Sequence, residues 1–400
     1  MAENRFVVGP ETVRMLELGH PWVIADRYTR QWPSVKAGEV IGLTDEKGRL
    51  LATALADPQE RIVARLLGPG KVRIDAVFFE ERLKAALALR RDHLNLGGSD
   101  AYRLVNGEGD ALPGLFVDRY RDHLMVQLYS AAWQPHLPLL VGALQRLLTP
   151  AGIYQKLRPQ QTRELAAAGP SKRYARLLAG QAAPGRTVVG ENGLSFLVEL
   201  EEGLNTGLFL DQRENRRDLM DRVSGRRVLN LFAYTGAFSV AAAAAGAREV
   251  VSVDASAAYL DWARENFSAN RLNPKRHPLI TGDCFTVLDT LVAEKRLYDV
   301  VLMDPPSFST TAKNTFTTRG GTSALVTLAL GLLPPGGLLV TSSNHQKVDI
   351  PDYLKELRRG ALAAGCDLRV IGLRGQPGDF PYPVTFPEGR YLKYLLAVKG

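Results

Sequence analysis

Three polar loops in the middle of the chain carry residue types that suit the binding of a nucleoside. Each loop follows a short apolar run: VLNLF continues into AYTG, VVSV ends at Asp254, and VVLM leads into Asp304-Pro305-Pro306. A glycine in a strand-to-helix turn, as in FAYTG at residues 232–236, lets the main chain approach a ligand closely. A carboxylate at the end of the next strand, such as Asp254, can accept hydrogen bonds from both hydroxyl groups of a ribose.

The FAYTG turn also limits the class of cofactor. It has a single glycine, Gly236, with bulky neighbours, whereas loops that cradle a pyrophosphate follow the pattern GxGxxG. A nucleoside cofactor without phosphates, such as S-adenosylmethionine, is therefore favoured over NAD.

Two further groups complete the predicted nucleoside site. Asp283 follows HPLIT-Gly, where its carboxylate can accept a hydrogen bond from an adenine amino group. The same residue is also a good N-cap for the following helix, and both roles can hold at once.

Pro305 and Pro306 lack N–H groups and form a rigid turn. Its carbonyls can accept hydrogen bonds from the amino group of a planar base, and Phe308 can stack on that base.

The apolar runs predict the elements that position these loops. Runs of this length, separated by helix-like segments, are typical of parallel strands that are buried on both faces. In an open parallel sheet, ligands bind at the carboxyl ends of the strands. We therefore expect a doubly wound α/β domain, with all three polar loops of residues 228–308 at one edge of its sheet.

Composition excludes several classes of protein. The chain has 400 residues, of which 46% are hydrophobic and 23% charged, an ordinary balance for a globular protein of two or three domains. No apolar run approaches the ~20 residues of a membrane span, and the N-terminus lacks the pattern of a signal peptide. Two cysteines, Cys284 and Cys366, are too few for a disulfide framework or a zinc site. We expect no metal and a reducing, cytoplasmic location.

Most of the net charge of +8 comes from one segment. Residues 151–190 carry 7 basic groups and 1 acidic group. A local cluster of this kind attracts polyanions, above all nucleic acid. On charge alone, an ordinary solvated surface is an equally good interpretation. The basic residues are Lys156, Arg158, Arg163, Lys172, Arg173, Arg176 and Arg186.

The pattern along the chain predicts three domains. Residues 1–72 contain short alternating runs between turn residues, which predict a small β-barrel or sandwich with a hairpin at Gly48. Residues 73–190 combine helical and strand patterns and predict a mixed α/β domain that ends in a linker at residues 181–190. Residues 191–400 begin with a hairpin and a charged helix and contain the doubly wound sheet.

At this point the ordered loops resemble those of class I S-adenosylmethionine-dependent methyltransferases. Longer motifs resemble the bacterial large-subunit rRNA methyltransferase family typified by the 23S rRNA cytosine-5 enzyme, over nearly the whole chain. The resemblance implies an N-terminal PUA domain (an RNA-binding β-barrel), a small central α/β domain and a C-terminal Rossmann-like methyltransferase domain. It also implies 23S rRNA as the partner and a homodimer. The motifs are GHPWV (residues 19–23), YRLVNGEGDALPGLFVDRY (102–120), TGLFLDQR (206–213) and FPEGRYLK (386–393).

The resemblance also implies roles for individual residues. FAYTG would lie against the methionine part of S-adenosyl-L-methionine, Asp254 would hold the ribose, and Asp283 the adenine. Gln212 and Arg213 would meet the methionine carboxylate, which suits the fork of an arginine. The DPP loop would face the transferred methyl. The predicted cofactor-binding residues are Gln212, Arg213, Phe232, Tyr234, Thr235, Gly236, Asp254, Ala255, Ser256, Asp283, Cys284 and Asp304, and the predicted catalytic residues are Asp304, Pro305, Pro306, Phe308 and Asn344.

The chain departs from the resembled family at one position. Making 5-methylcytosine needs a thiolate that adds to carbon-6 of the base. The resembled enzymes carry that Cys after the strand that follows the DPP motif. The corresponding run here, GGLLVTSSNHQKVD, has no Cys, and Ser342 and Ser343 ionise far less readily than a thiol. We expect Cys284 to pack beside the cofactor and Cys366 to be structural.

The run SSNHQKVD instead resembles the strand end of a guanine-N7 rRNA methyltransferase that also carries a DPP-x-F loop. A ring nitrogen has its own lone pair, so its methylation needs alignment with the methyl and no covalent step. Asn344 and His345 would then contact the base. Within an rRNA methyltransferase, the resemblance makes cytosine carbon-5 the first expectation, against which the missing Cys argues, and a guanine or adenine nitrogen the alternative. A small-molecule or protein acceptor on the same fold and a non-catalytic RNA-binding factor are the other hypotheses.

Overall fold

A computed structural model describes residues 5–157, 174–306, 308–310, 315–317 and 321–400, with the two short ranges described by their main chain only. Within these ranges the strands are β1 (Phe6–Val7), β2 (Trp22–Ile24), β3 (Val40–Thr44), β4 (Leu50–Ala56), β5 (Ile62–Gly68), β6 (Ala101–Asn106), β7 (Leu115–Tyr120), β8 (His123–Leu128), β9 (Gly152–Lys156), β10 (Ala175–Gly180), β11 (Thr187–Glu191), β12 (Leu194–Val198), β13 (Arg227–Leu231), β14 (Glu249–Asp254), β15 (Leu279–Thr281), β16 (Val300–Met303), β17 (Phe308–Thr310), β18 (Thr315–Thr317), β19 (Leu338–Ser343), β20 (Leu368–Arg374) and β21 (Lys393–Lys399). The α-helices are α1 (Pro10–Glu17), α2 (Ala76–His93), α3 (Leu137–Leu148), α4 (Arg213–Met220), α5 (Ala237–Ala244), α6 (Ala257–Ala269), α7 (Cys284–Ala293), α8 (Gly321–Gly331) and α9 (Ile350–Ala363).

The chain folds into two compact units. The division of the first 190 residues into two domains stays a prediction, and so do the predicted domain boundaries. Unit 1 comprises Met1–Thr187, Glu199–Thr206 and Gly378–Gly389, and unit 2 comprises Val188–Val198, Gly207–Pro377 and Arg390–Gly400.

Unit 1 contains two five-stranded sheets. The first has the order β1-β3-β4-β5-β2, with β1 parallel to β3 and the other neighbours antiparallel. β3 and β4 form the predicted hairpin, in whose turn Gly48 adopts φ +81°. Residues with a Cβ adopt this conformation at a cost, which explains the glycine. Val8, Leu43 and Ala64 are fully buried in the core of this sheet.

The second sheet of unit 1 has the order β10-β9-β8-β7-β6. Helices α2 and α3 share one apolar core with it, in which Phe79, Leu83 and Leu140 are fully buried. Asp75 begins α2, because its carboxylate accepts the N–H of Phe78 at 3.0 Å. The helices and strands expected between residues 73 and 157 are therefore confirmed.

Unit 2 is built on a seven-stranded sheet of order β15-β14-β13-β16-β19-β21-β20. The first five strands are parallel, and β21 is antiparallel to both of its neighbours. Leu231 pairs with Val253 and Met303, and Met303 pairs with Thr341. The strands that carry the polar loops therefore end at one level. This confirms both the doubly wound α/β fold and the shared carboxyl edge.

The central strands of unit 2 are buried on both faces, as their apolar runs predict. Asn230 interrupts the apolar run of β13 and Ser252 that of β14, and both side chains have hydrogen-bond partners. Asn230 Nδ2 donates to Ser239 Oγ at 2.8 Å, and Ser252 Oγ lies 2.7 Å from the same oxygen. Since Ser239 belongs to α5, this buried network ties the helix to the sheet.

Two predictions about the region before the sheet need revision. The linker at residues 181–190 is wrong in part, because β11 begins at Thr187 and pairs with β12. The charged helix is confirmed as α4, but much of it is buried. Arg216 pairs through two hydrogen bonds with Glu191 of β11, in an ion pair that is almost fully buried. Removing one partner of such a pair leaves an uncompensated buried charge. These charged groups therefore serve the interior of unit 2 rather than solvent.

Within the described ranges, no helix combines the length and the apolar character that a membrane crossing needs. Over the same part of the chain, His, Cys, Asp and Glu side chains form no group of three that could hold a metal ion.

Candidate active site

The loop after β13 has a strained main chain. Phe232 and Tyr234 adopt φ values of +57° and +51°, and Gly236 adopts +76°. For residues other than glycine this conformation costs about 1–3 kcal/mol, and it concentrates at functional sites. The surrounding structure holds the loop in place: Asn266 Nδ2 donates to the carbonyl of Thr235 at 2.8 Å. The loop therefore presents a pre-shaped main chain at the carboxyl edge of the sheet.

Asp254 connects this loop to the neighbouring strand end. Its Oδ2 accepts the N–H of Tyr234 at 2.8 Å, and its Oδ1 accepts the N–H of Ser256 at 2.9 Å. Ser256 in turn begins α6 by accepting the N–H of Tyr259, and Ala255 is exposed beside it. Each carboxylate oxygen has a second acceptor position. Asp254 can therefore hold both loops and still accept two hydroxyl groups.

The segment before α4 is hydrogen-bonded to the loop after β13. The carbonyl of Gly207 accepts the hydroxyl of Thr235. Gly207 adopts φ +97°, and a Cβ placed on it would overlap the ring of Trp262. The glycine of the TGLFLDQR motif is therefore required both by its conformation and by the close approach of the ring.

Three aromatic side chains line this part of the edge. The ring of Tyr234 lies 5.2 Å from that of Phe209 and 4.5 Å from that of Tyr259, between ring centroids. Burial raises the pKa of the Tyr234 phenol far above its ordinary value. The phenol is therefore neutral at physiological pH and acts as a wall of the site.

Asp283 and Cys284 begin α7 at the end of β15. Asp283 Oδ1 accepts the N–H of Phe285 at 3.1 Å and of Thr286 at 3.2 Å, which confirms the predicted N-cap. A contact with adenine stays a prediction. The Cys284 side chain is buried in the core of unit 2. Burial raises the pKa of its thiol to about 12, although a hydrogen bond from the main chain of Phe232 opposes the shift.

Asp304 lies at the end of β16, beside the loop after β13. The Gln212 amide donates to Asp304 Oδ2 at 3.0 Å and to Ser342 Oγ at 2.8 Å. Burial raises the pKa of Asp304 to about 6, and the carboxylate of Asp211 also raises it. Hydrogen bonds from Ser342 and Gln212, and the charge of Arg216, act in the opposite direction. Asp304 is therefore mainly ionised at pH 7, with a pKa suited to accepting or exchanging a proton.

The rest of the DPP loop is described only in part. Pro305 is buried and Pro306 is exposed. Ser307 lies outside the described residues, and so does the side chain of Phe308, on which the predicted stacking depends.

The loop after β19 places Asn344 at the surface of the same edge. A buried ammonium group holds this loop: Lys393 Nζ donates to the carbonyls of His345 at 2.9 Å, Val348 at 3.0 Å and Tyr391 at 2.9 Å. Burial lowers the pKa of Lys393. Three carbonyl acceptors replace the water that the ammonium loses on folding, and so the loop has a defined shape.

Gln212 and Arg213 lie where a short 3-10 helix, Leu210–Gln212, runs into α4. Both side chains are buried. Arg213 Nη1 lies 3.0 Å from Glu214 Oε1, and the Arg213 carbonyl accepts Asn192 Nδ2 at 3.0 Å. The predicted contact of these two residues with a methionine carboxylate stays a prediction.

Sequence reasoning missed the residues that surround Asp304. Asn215 Nδ2 donates to Gln212 Oε1 at 2.7 Å, and the Tyr391 hydroxyl donates to Asp211 Oδ2 at 2.7 Å. A signal was present, because Tyr391 and Lys393 belong to the FPEGRYLK motif and Asp211 to TGLFLDQR. The motifs did not reveal that these two stretches meet.

One part of the predicted basic surface is wrong. Lys156 is buried, and its Nζ donates to the carbonyl of Gly203 at 2.7 Å. Burial lowers its pKa to about 8, so it keeps its charge at pH 7, but its buried side chain adds little to a surface patch. Arg176 donates to Gln155 Oε1 at 2.9 Å, and Arg186 is exposed. Outside the described residues lie Arg158, Arg163, Lys172 and Arg173.

The residues at the carboxyl edge fit S-adenosyl-L-methionine. Asp254 offers acceptors for a ribose, and the loop of residues 232–236 offers a bent main chain without the glycine pattern of a pyrophosphate cradle. A Cβ on Gly236 would lie 2.8 Å from Ala263 Cβ, so the loop packs tightly on α6. Asp254, Ala255 and Ser256 would hold the nucleoside, and the loop after β13 the amino-acid part.

Comparisons with known proteins agree with the cofactor. A family model described as S-adenosylmethionine-dependent methyltransferase matches residues 102–385, and one described as a PUA-like domain matches residues 6–69. Ribosomal RNA large subunit methyltransferase I of Yersinia pseudotuberculosis is 33% identical over 395 residues, which cover 97% of this chain and 98% of the relative. The protein of the same name from Yersinia pestis is equally similar.

Solved structures agree over the whole length. SMU.776, crystallised in complex with SAH, matches with a TM-score of 0.88 and 28% identity, covering 99% of this chain and 100% of that one. A structure from Streptococcus mutans matches with a TM-score of 0.85 and the same identity and coverage. The chain therefore belongs to the S-adenosylmethionine-dependent methyltransferase family and is an enzyme that uses S-adenosyl-L-methionine, with a PUA-like domain at its N-terminus.

Proposed function

We propose that this enzyme methylates a base of large-subunit ribosomal RNA, 23S rRNA. The relatives that match over nearly the full chain carry the name ribosomal RNA large subunit methyltransferase I. The PUA-like domain and the basic groups of residues 151–190 other than the buried Lys156 suit an RNA partner. A homodimer and a cytoplasmic location, both expected from sequence, belong to the same proposal, and analytical ultracentrifugation distinguishes one chain from two.

We further propose a base nitrogen as the acceptor, in preference to cytosine carbon-5. The observation that carries this choice is the burial of Cys284, the cysteine nearer to the site, in the apolar core of unit 2. Burial raises the pKa of its thiol to about 12, so the thiolate is scarce at pH 7. Its side chain is buried in the apolar core that also contains Leu229 and Leu231. A carbon-5 reaction needs a thiolate that can reach the base.

Cys366, the second of the two cysteines in the sequence, lies at the wrong edge of the sheet for this role. It precedes β20, which begins at Leu368 opposite Lys399. The end of β21 in turn lies beside Leu338, where β19 begins. The length of β19 therefore separates Cys366 from Asn344, a distance of about 20 Å for six residues.

A nitrogen acceptor needs less from the protein. When bound, S-adenosyl-L-methionine supplies an electrophilic methyl group. The base nitrogen contributes its own lone pair, so the chain has to align the base and exclude water. The carboxylate of Asp304 and the carbonyls of its loop suit the amino group of a planar base, and Asn344 is exposed beside them.

The test is mass-spectrometric mapping of 23S rRNA from a strain that lacks the gene, followed by transfer of labelled methyl to that RNA by purified protein. We expect one unmodified base nitrogen in the mutant RNA and its methylation in vitro. Cys284→Ala and Cys366→Ala variants should keep their activity. Two results would overturn the nitrogen acceptor. One is a product methylated at carbon-5. The other is loss of transfer in a Cys→Ala variant, together with a covalent RNA adduct trapped on the wild-type protein.

The same assay tests the RNA substrate itself. Treating the acceptor with RNase before the reaction should abolish transfer. Transfer that survives RNase would point to a small molecule or a protein on the same fold.

A further inference from the structure

We propose that Gln212 and Ser342 are positioning residues for Asp304, holding its carboxylate in one orientation where it meets the target base. This inference deepens the proposed function and rests on it, since it assumes that Asp304 contacts the base. It assigns a task to the TGLFLDQR motif and to the end of β19.

The first observation is a chain of amides with a fixed direction. The carbonyl of Gly375 can only accept, and it lies 3.3 Å from Asn215 Nδ2. The amide of Asn215 is thereby oriented so that Nδ2 also donates to Gln212 Oε1 at 2.7 Å. Gln212 must then direct its Nε2 toward Asp304 and Ser342. The orientation of the Gln212 amide thus follows from a main-chain carbonyl and not from an assumed flip.

The second observation concerns Ser342. Its hydroxyl accepts from Gln212, so its own proton is available to Asp304, and this hydrogen bond lowers the pKa of Asp304. The strand register places Ser342 one residue beyond Thr341, the partner of Met303. The buried hydroxyl of Tyr353 donates to the Ser342 carbonyl at 3.1 Å and so holds the strand end in place.

Together Gln212 and Ser342 oppose the rise that burial causes in the pKa of Asp304. Burial and the carboxylate of Asp211 favour the neutral acid, whereas the two donors favour the carboxylate. Of the other groups close by, Arg216 favours the carboxylate and Tyr353 has a pKa raised by burial, so it stays neutral. Two donors to one carboxylate also fix its plane. The consequence is an ionised acceptor in a defined place.

The test uses Gln212→Ala, Ser342→Ala and the double variant. Gln127→Ala is a matched control, because Gln127 Nε2 also donates to a buried carboxylate, Asp118 Oδ2, at 2.8 Å in unit 1. Methyl transfer to unmodified rRNA is measured against pH, with the KM for RNA, the cofactor Kd by calorimetry and the Tm. We expect kcat to fall about 10- to 100-fold in each single variant. The acid limb of the pH profile should move up by about one unit.

The KM for RNA and the cofactor Kd should change by less than about twofold. The inference assigns the Gln212 amide to Asp304 and Ser342, in place of the predicted contact of Gln212 with the methionine carboxylate. The double variant should lose less than the product of the single losses, since both act through one carboxylate. Gln127→Ala should transfer at the wild-type rate. A cofactor Kd that rises in step with the loss of kcat would overturn the inference and assign Gln212 to the cofactor. An unmoved pH profile would overturn it as well.

A measurement that does not depend on enzymatic activity separates this inference from the proposed function. Crystal structures of the wild type and of Gln212→Ala should show Asp304 in a single orientation in the first and a changed or split orientation in the second. An unchanged Asp304 in the variant would overturn the positioning role, whatever the acceptor is. If instead the wild type transferred nothing to rRNA while Asp304 moved in the variant, the substrate proposal would fail and the positioning role would stand.

Discussion

The main-chain N–H of Tyr234 donates to Asp254 Oδ2 across 2.8 Å, so the loop after β13 is tied to the end of the neighbouring strand. The other oxygen of the same carboxylate accepts the N–H of Ser256, which starts the loop into α6. One side chain thereby shapes two loops of the proposed cofactor site. Asp254 should consequently affect both stability and cofactor binding.

Replacing Asp254 by Asn tests this double role. An amide turns an NH2 group toward one of the two N–H donors, so one hydrogen bond is lost and a repulsion is added. We expect the free energy of unfolding to fall by about 1–3 kcal/mol and the cofactor Kd to rise at least about tenfold. Calorimetry and denaturant unfolding measure both. Asp289→Asn, at an exposed position on α7, should change neither.

Replacing Gly236 by Ala tests the packing of the loop on α6. The added Cβ would lie 2.8 Å from Ala263 Cβ, in a residue with φ +76°. We expect a loss of about 1–3 kcal/mol from the conformation, with a further loss from the overlap. Gly193→Ala is the control, because Gly193 has φ +80° with no atom within 4 Å of the added Cβ. Equal losses in the two variants would show that the overlap contributes nothing.

Asp304 should make stability depend on pH. Its folded pKa of about 6 lies above the ordinary value of 3.8, so the folded state binds the proton more tightly. Protonation of Asp304 therefore stabilises the folded state relative to the unfolded state. This stabilisation is fully present below about pH 4 and is lost as pH rises through about 6. Asp304→Asn cannot bind this proton, so its stability should lack this dependence on pH. The free energy of unfolding of the variant minus that of the wild type should therefore be about 1 kcal/mol higher at pH 8 than at pH 5. The same variant should lose methyl transfer.

Denaturant unfolding at the two pH values measures this difference, with Asp289→Asn as the reference substitution of a carboxylate. A stability difference between Asp304→Asn and wild type that is the same at both pH values would contradict the raised pKa.

Two lysines on β21 allow a paired test of the loop after β19. Lys393 Nζ donates to the His345 and Val348 carbonyls at the carboxyl edge, whereas Lys399 Nζ donates to the Leu330 and Leu333 carbonyls away from it. Replacing either lysine by Met should cost about 1–3 kcal/mol of stability, because buried carbonyls lose their donor. Only Lys393→Met should raise the KM for RNA, since only its loop carries Asn344. Unfolding and transfer kinetics at a temperature where both variants are folded measure the two effects. A matching rise in Lys399→Met would show that the RNA effect is general destabilisation.

Local patterns of the sequence were sufficient for much of unit 2. The runs VLNLF, VVSV and VVLM are apolar except for Asn230 and Ser252, because strands covered on both faces bury nearly all of their side chains. Parallel strands end at the same level of a sheet, so the sequence pattern alone predicted that the polar loops share one edge. The capping role of Asp283 is equally local, since an N-cap bonds within its own first turn.

Other features depend on which distant elements become neighbours. Gln212 meets Asp304 across 92 positions of the chain and Ser342 across 130. Lys156 belongs by sequence to a basic segment but is buried under the carbonyl of Gly203. Hydrophobic periodicity specifies which face of an element is buried but not which partner covers it. The sequence by itself therefore determined the α/β class, the polar edge of the sheet and the absence of a Cys from the run GGLLVTSSNHQKVD. Only the tertiary structure decided how Asp304 is held and ionised, because burial and hydrogen bonding at a carboxylate depend on groups that folding brings together.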